Sequence, residues 1–291
     1  MRWSGPRTLF LGLFLAGILA AVPARSSEEP SSGSPHPDPA EFGDPACTDC
    51  HDDLLGGKVV HAAAEAGCDT CHTLSGSGDE TTVNLQAVPE ELCVMCHDNP
   101  AEVEGATSRH DPVAEAMCTA CHSPHSSQRD HLLLGQGAVA NDVCLECHVE
   151  VAEEIERPVV HGGVQSFGCI ACHEPHASRF ARLLRGEDND LCLECHARAP
   201  GSRRIDDEGR VLLFGGRPVD AATFEALPKL ALGGSRAGHP VAKHPVHAEH
   251  DPLRPERSFG CTSCHAPHAS LRKGLLAGEA KGSFCVQCHR K

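Results

Sequence analysis

The sequence predicts an extended stack of short repeats, mostly irregular with short α-helices and little strand, interrupted by one insertion. Three observations predict it. A CXXCH unit recurs nine times, the units follow one another at short and regular spacing, and material for an ordinary core is scarce. The 291 residues include no Tyr, one Trp and nine Phe, but eighteen Cys and twenty-one His. A core of small side chains buries little apolar area, so something other than side chains has to fill the interior.

The elements follow in chain order. "MRWSGPRTLFLGLFLAGILAAVPARS" carries Arg2 and Arg7, an apolar run from Leu9 to Val22 and a small-residue site at Val22-Pro23-Ala24. Residues 1–24 read as an export signal, because the run is short for a bilayer span. Residues 25–44, with "SSEEPSSGSPHPDP", read as a flexible low-complexity tail. Residues 45–196 hold seven motifs, residues 197–260 form the insertion, and residues 261–291 hold the last two motifs. A lone motif at Cys47 precedes pairs starting at Cys68, Cys118, Cys169 and Cys261, with 23 to 26 residues between the first cysteines of each pair. Such a period implies a quasi-linear array in which each unit touches its neighbours. In the insertion, "GRVLLFGGRPV" predicts a hairpin around Gly215-Gly216 and "DAATFEALPKL" a short helix capped by Asp220. "NDVCLECHVEVAEEIERP" predicts a helix stopped before Pro158.

No cysteine lies outside a motif. The pairs are Cys47 and Cys50, Cys68 and Cys71, Cys93 and Cys96, Cys118 and Cys121, Cys144 and Cys147, Cys169 and Cys172, Cys192 and Cys195, Cys261 and Cys264, and Cys285 and Cys288. Each is closed by a histidine: His51, His72, His97, His122, His148, His173, His196, His265 and His289. This is the pattern of c-type haem attachment. Two thiols two residues apart reach the two vinyl groups of one haem, and the next residue supplies the proximal nitrogen to iron. Zinc ribbons, a thioredoxin-like motif or a disulfide framework would not require His after every second Cys. The chain is therefore expected to carry nine covalent haem c groups, whose flat rings supply the missing interior.

The sixth ligand decides whether each iron keeps a free face. The three methionines are poorly placed: Met1 leaves with the signal, while Met95 and Met117 sit inside or beside a motif. Twelve further histidines remain. Candidates are His61, His110 and His161, seven or eight residues before a pair, and His125, His176 and His268, in the phrase CHxPH. His131 and, from "GHPVAKHPVHAEHDP", His239, His244 and His247 complete the set, with His250 as a further choice in that segment. His36, in the tail, reads as a solvated residue. Three residues span at most about 10–11 Å, slightly less than two imidazoles on opposite faces of one iron require. A CHxPH histidine therefore serves a neighbouring haem, not its own. The pair at Cys68 departs from the rule: Ser75 occupies the position of the PH histidine, so its third haem, at Cys93, needs another donor.

"HGGVQSFGCIACHEPHASRFARLLRGEDNDLCLECH" and "GHPVAKHPV…FGCTSCHAPHASLRKGLLAGEAKGSFCVQCH" resemble multihaem cytochromes c with the doubled CXXCH motif, over Cys47 to His289. The resemblance implies bis-histidine, low-potential haems in close-packed chains that carry electrons through the periplasm or outward, as in periplasmic decahaem cytochromes of anaerobic respiration and in haem-chain filaments.

The expected function is electron transfer, without enzymatic catalysis, in anaerobic respiration or extracellular electron transfer. Redox partner proteins would be quinol-oxidising or outer-membrane cytochromes. Export and the absence of a second apolar run imply a periplasmic or extracellular protein with no stable membrane span. The formal charge of −15 excludes nucleic acid as a partner. Two alternatives stand beside the carrier. One is self-assembly into a cytochrome filament; the other is a nitrite- or hydroxylamine-type oxidoreductase. The latter is disfavoured because all nine motifs end in His and Tyr is absent.

Overall fold

The computed structural model describes residues 33–43, 45–136, 139–197, 204–214, 216–230, 244–277 and 281–289. All nine motifs fall within them, whereas the expected export signal lies outside. Among the described residues no helix is long and apolar enough to cross a membrane.

Secondary structure is a series of very short elements. The strands are β1 (Ser34–Pro35), β2 (Val59–Val60), β3 (His72–Ser75), β4 (Thr82–Leu85), β5 (Ser108–Arg109), β6 (Ser126–Ser127), β7 (Val159–Val160), β8 (Ala177–Ser178), β9 (Val211–Leu213), β10 (Arg217–Val219) and β11 (Ala269–Ser270). They pair antiparallel as β1-β4-β3, β2-β6, β5-β8, β7-β11 and β9-β10. Three of these ribbons are equivalent: β2, β5 and β7 each precede an upstream histidine, and β6, β8 and β11 each follow a CHxPH histidine. β-Branched Val59-Val60 and Val159-Val160 suit the extended half. On the other half, the serine of CHxPHxS turns its Oγ–H onto the carbonyl six residues on: Ser178 to Leu184 at 2.5 Å, Ser270 to Leu276 at 2.6 Å, and likewise Ser127 to Leu133.

After each upstream histidine the chain makes a one- or two-turn helix: Ala62–Ala66, Asp111–Ala114 and Gly162–Ser166. The first ends at Gly67, whose φ of 148° falls where glycine is favoured. The expected single helix over "NDVCLECHVEVAEEIERP" is instead two, Asn141–Leu145 and Val149–Glu154. His148 breaks it by adopting φ −88°, ψ 59°, which turns its ring out of the helical path.

The side-chain core is small and local. Val211, Leu213, Val219 and Phe224 form it, with Phe167, Cys195, Phe214 and Leu227 packed around them. This is the insertion: the β9-β10 hairpin followed by helix Ala221–Ala226, whose cap Asp220 accepts from the Thr223 N–H at 2.9 Å. Elsewhere large apolar side chains stay exposed beside the motifs, among them Leu74, Leu85, Val94, Met95, Met117, Val149 and Val286. Residues 33–43 of the stretch read as a flexible tail instead carry β1 and a 3₁₀ turn, Pro39–Phe42. β1 finds an open edge on β4, and the Asp38 carboxylate accepts from the Gly78 N–H at 2.7 Å.

Candidate functional site

Each motif is one tight turn. In seven motifs the histidine N–H donates to the carbonyl of the first cysteine four residues back, as in His51 to Cys47 (3.0 Å), His122 to Cys118 (3.0 Å) and His289 to Cys285 (2.9 Å). Positions i, i+3 and i+4 of such a turn share one face, so two thiols and one imidazole are presented together. None of the eighteen cysteines is fully buried, and six are exposed, although unpaired cysteine is among the most buried residue types.

Eight motif histidines face a second imidazole. The pairs are His36–His51, His61–His97, His72–His125, His110–His148, His122–His176, His161–His196, His173–His268 and His244–His289, with centroids 5.9 to 6.2 Å apart. Metal–imidazole bonds of about 2.0–2.1 Å on both sides of one ion put ring centroids roughly 6 Å apart. Packed aromatic pairs scatter over about 4.5–7 Å, so a spread of 0.3 Å across eight pairs marks a common constraint. The gap fits one metal ion held between two imidazoles, beside a motif whose two thiols could attach a haem. It does not fit a zinc site: among the described residues no three His, Cys, Asp or Glu side chains converge as a metal cluster.

The pairing follows one rule. The upstream histidine of a pair faces the second motif histidine of that pair, and the CHxPH histidine faces the first motif histidine of the preceding pair. Backbone bonds fix both at once: His61 N–H donates to His125 C=O (2.8 Å), His110 to His176 (2.9 Å) and His161 to His268 (2.8 Å). The upstream histidines sit at helix N-caps with extended backbone, φ −64 to −78°, which directs the ring away from the helix.

The outer ring nitrogens are held too. Nδ1 lies 2.7 Å from His131 O in His122, 3.0 Å from Arg182 O in His173, 2.7 Å from Gly274 O in His265 and 2.8 Å from Pro228 O in His196. A carbonyl only accepts, so Nδ1 carries the proton in each, which in the neutral ring leaves the lone pair on Nε2. Burial first, and then neighbouring imidazoles, push His125, His161 and His176 below the ordinary histidine range; burial is also the largest effect at His173. Each shift favours the neutral imidazole, the form that metal binding requires.

Several expectations change. His131 is exposed and its ring faces no motif histidine; it shares its place with Arg182 and Gly274, three residues at φ 58 to 71° whose carbonyls are what the site uses. His247 is exposed and likewise faces none, His250 lies 3.8 Å from Glu249, and His239 lies outside the described residues. Of that segment, His244 faces His289. The missing PH histidine at Ser75 does not deprive the motif at Cys93, because His61 faces His97. By the pairing rule it deprives His51, and His36 stands there instead. Sequence reading missed His36 because its low-complexity surroundings hid it.

Consecutive units meet through their cysteines. The Cys144 and Cys169 thiols are near neighbours, and so are those of Cys47–Cys68, Cys93–Cys118 and Cys192–Cys261. Asn141 Oδ1 accepts from Cys169 N–H (2.9 Å) and Asn189 Oδ1 from Cys261 N–H (2.8 Å), pinning the next motif to the previous one.

Repeated attachment turns on a stack with almost no side-chain core define a multihaem c-type cytochrome. The chain belongs to the doubled CXXCH motif family, whose model matches residues 61–102, 110–153, 161–201 and 250–291. The first three matches open at His61, His110 and His161, the histidines that face the second motif of each pair. The four matches span eight motifs and leave the one at Cys47 outside. No curated protein matches the chain.

Proposed function

We propose that the protein is an electron carrier and not an enzyme, with nine covalent haem c groups whose irons are closed on both faces by histidine. The single observation that carries this reading is the set of facing imidazoles at a nearly constant separation. Haem supplies one-electron exchange at iron. The chain fixes the attachment points, fills the distal face and holds successive sites side by side through the Cys–Cys junctions and the backbone bonds between facing histidines. Among the described residues no second imidazole faces His265, and His239, a further histidine of the segment before Cys261, lies outside them.

Sequential motifs in contact suit transfer along the chain in motif order, and the acidic surface suits encounter with basic partners. The pattern of an export signal read in residues 1–24, with haem attachment outside the cytoplasm, supports a periplasmic or extracellular place in anaerobic respiration. The partners would be quinol-oxidising or outer-membrane cytochromes.

Low-temperature electron paramagnetic resonance of the oxidised protein tests the reading, together with carbon monoxide added to the reduced protein. The expected result is low-spin iron throughout, with no rapid carbon monoxide binding at neutral pH. A stoichiometric high-spin component in the intact protein overturns the carrier in favour of an open, reactive iron.

A further inference from the structure

The lone motif at Cys47 stands apart from the four matched pairs, and no downstream PH histidine reaches it, because Ser75 occupies that position. The structure nevertheless puts an imidazole in front of His51. The ring of His36 lies 5.9 Å from it, within the same narrow range as the seven other pairs. We infer that His36, from the segment before the repeats, is the distal ligand that closes a haem at Cys47, and that this segment is a strap clamped over the first site. The inference rests on the reading that Cys47 and Cys50 carry haem.

The local chemistry supports a built ligand and not a passing contact. Pro35 and Pro37 flank His36 and fix its neighbours' φ near the extended value, so ordering the strap costs less backbone entropy than a free tail would. Pro35 sits on β1, an edge strand, the one place in a sheet that tolerates its missing N–H. His36 N–H donates to Thr81 C=O at 2.9 Å. This resembles the bonds that anchor His61, His110 and His161 to the opposite strand. Nδ1 of His36 lies 2.6 Å from Pro37 C=O, which keeps the proton on that nitrogen and leaves Nε2 to face His51. Asp38 then accepts from both Ala40 N–H (3.0 Å) and Gly78 N–H (2.7 Å), tying the strap to the loop between β3 and β4. The three-stranded sheet β1-β4-β3 therefore joins the distal histidine of the first site to His72, the proximal histidine of the second.

Two measurements on the full-length, haem-loaded protein separate this inference from the reading beneath it. Haem content by pyridine haemochromogen and intact mass asks whether Cys47 is loaded. Nine groups are expected, and eight would overturn the attachment itself, whatever His36 does. The His36→Ala variant asks about the ligand. Its haem count should stay at nine, one of the nine irons should become high-spin, and about one carbon monoxide should bind per chain after reduction. Added imidazole should return the spectrum to low-spin, which a merely structural loss would not allow. His36→Met should keep that iron six-coordinate while moving one potential upward. A His36→Ala protein that keeps nine low-spin irons overturns the assignment, as does loss of haem from several sites at once.

Discussion

Glu154 offers the sharpest test of how the chain tunes one site. Every other Nδ1 contact of a facing histidine described above ends on a backbone carbonyl, but His268 Nδ1 lies 3.1 Å from the Glu154 carboxylate. His268 faces His173 across 6.2 Å. An iron midway between those rings would lie about 7 Å from the carboxylate oxygen, two imidazole–metal and ring-crossing steps plus the hydrogen bond. At an effective dielectric near 20 a unit charge at that distance is worth about 2 kcal/mol. For a one-electron couple, where a tenfold change is 59 mV, this corresponds to an upper bound near ~100 mV. Arg157, 3.1 Å from the other oxygen, cancels part of it, so roughly 50 mV is the expected size. The carboxylate stabilises the oxidised iron, and Glu154→Gln should therefore raise the potential of the site at Cys169 by that amount while leaving the others in place. Spectroelectrochemical titration of the two proteins side by side reads this as one displaced component. Superimposable curves, or a shift spread evenly over all components, would refute the reasoning.

Four further outcomes follow from the same geometry. His176→Ala should open one iron, that of the Cys118 motif, giving one high-spin signal and about one carbon monoxide per chain, with haem content unchanged. Asp251 is 1% exposed. Burial would raise its pKa, yet Leu253 N–H, Ser263, Arg257 and Arg254 together hold the carboxylate down to about 2. Its contribution, about 2 kcal/mol from the linkage relation, should be complete above pH ~4 and be lost as the pH falls through about 2, read as a midpoint shift in denaturant. Asp251→Asn, which removes the charge that Arg254 and Arg257 share, should cost about 1–3 kcal/mol at neutral pH, since both guanidinium groups are partly exposed and keep their bonds to Thr262 and Ser263. Phe224→Ala empties the centre of the insertion core and should cost about 3–5 kcal/mol there, seen as faster amide exchange over residues 211–227 with the Soret spectrum unchanged.

The attachment turns were legible in the sequence because the chemistry demands fixed residue types at fixed spacing. The hairpin at Val211–Val219 and the Asp220 cap were legible for a similar reason: turn glycines and a capping carboxylate act locally. Reach along the chain also showed that His125, His176 and His268 could not serve their own motifs. It did not show which neighbour each would face, because that depends on ribbons such as β5-β8, which join residues some seventy positions apart. His131 looked like a donor since its side chain can ligate. The repeat reveals otherwise, because Arg182 and Gly274 hold the same left-handed backbone position and neither is a histidine. Only a carbonyl is common to all three. His36 was hidden by composition: a Ser- and Pro-rich stretch reads as solvated until an unpaired strand edge is found for it.

Two kinds of junction alternate along the stack, and their difference says how rigid a relay it is. Within a pair, the two sites are coupled through a single backbone bond between their facing histidines, such as His110 N–H to His176 C=O. Displacing one of those imidazoles necessarily moves the other. Between pairs, the contact is cysteine to cysteine, Cys144 to Cys169, with Asn141 holding the incoming motif. The two cysteines belong to different motifs, so no covalent bond spans this junction, and the hydrogen bond from Cys169 N–H to Asn141 Oδ1 is what holds it. The two junctions therefore fail differently. Loss of Asn141 would loosen how one motif approaches the next while leaving the facing histidines in place, whereas loss of a facing histidine removes one imidazole pair and disturbs the neighbour bonded to it. An array built from the histidine-coupled kind alone would be more fragile, since every facing histidine would depend on the next. Alternation confines that dependence to neighbouring sites, which is what lets a peptide with so little side-chain core hold a long row of rings in order.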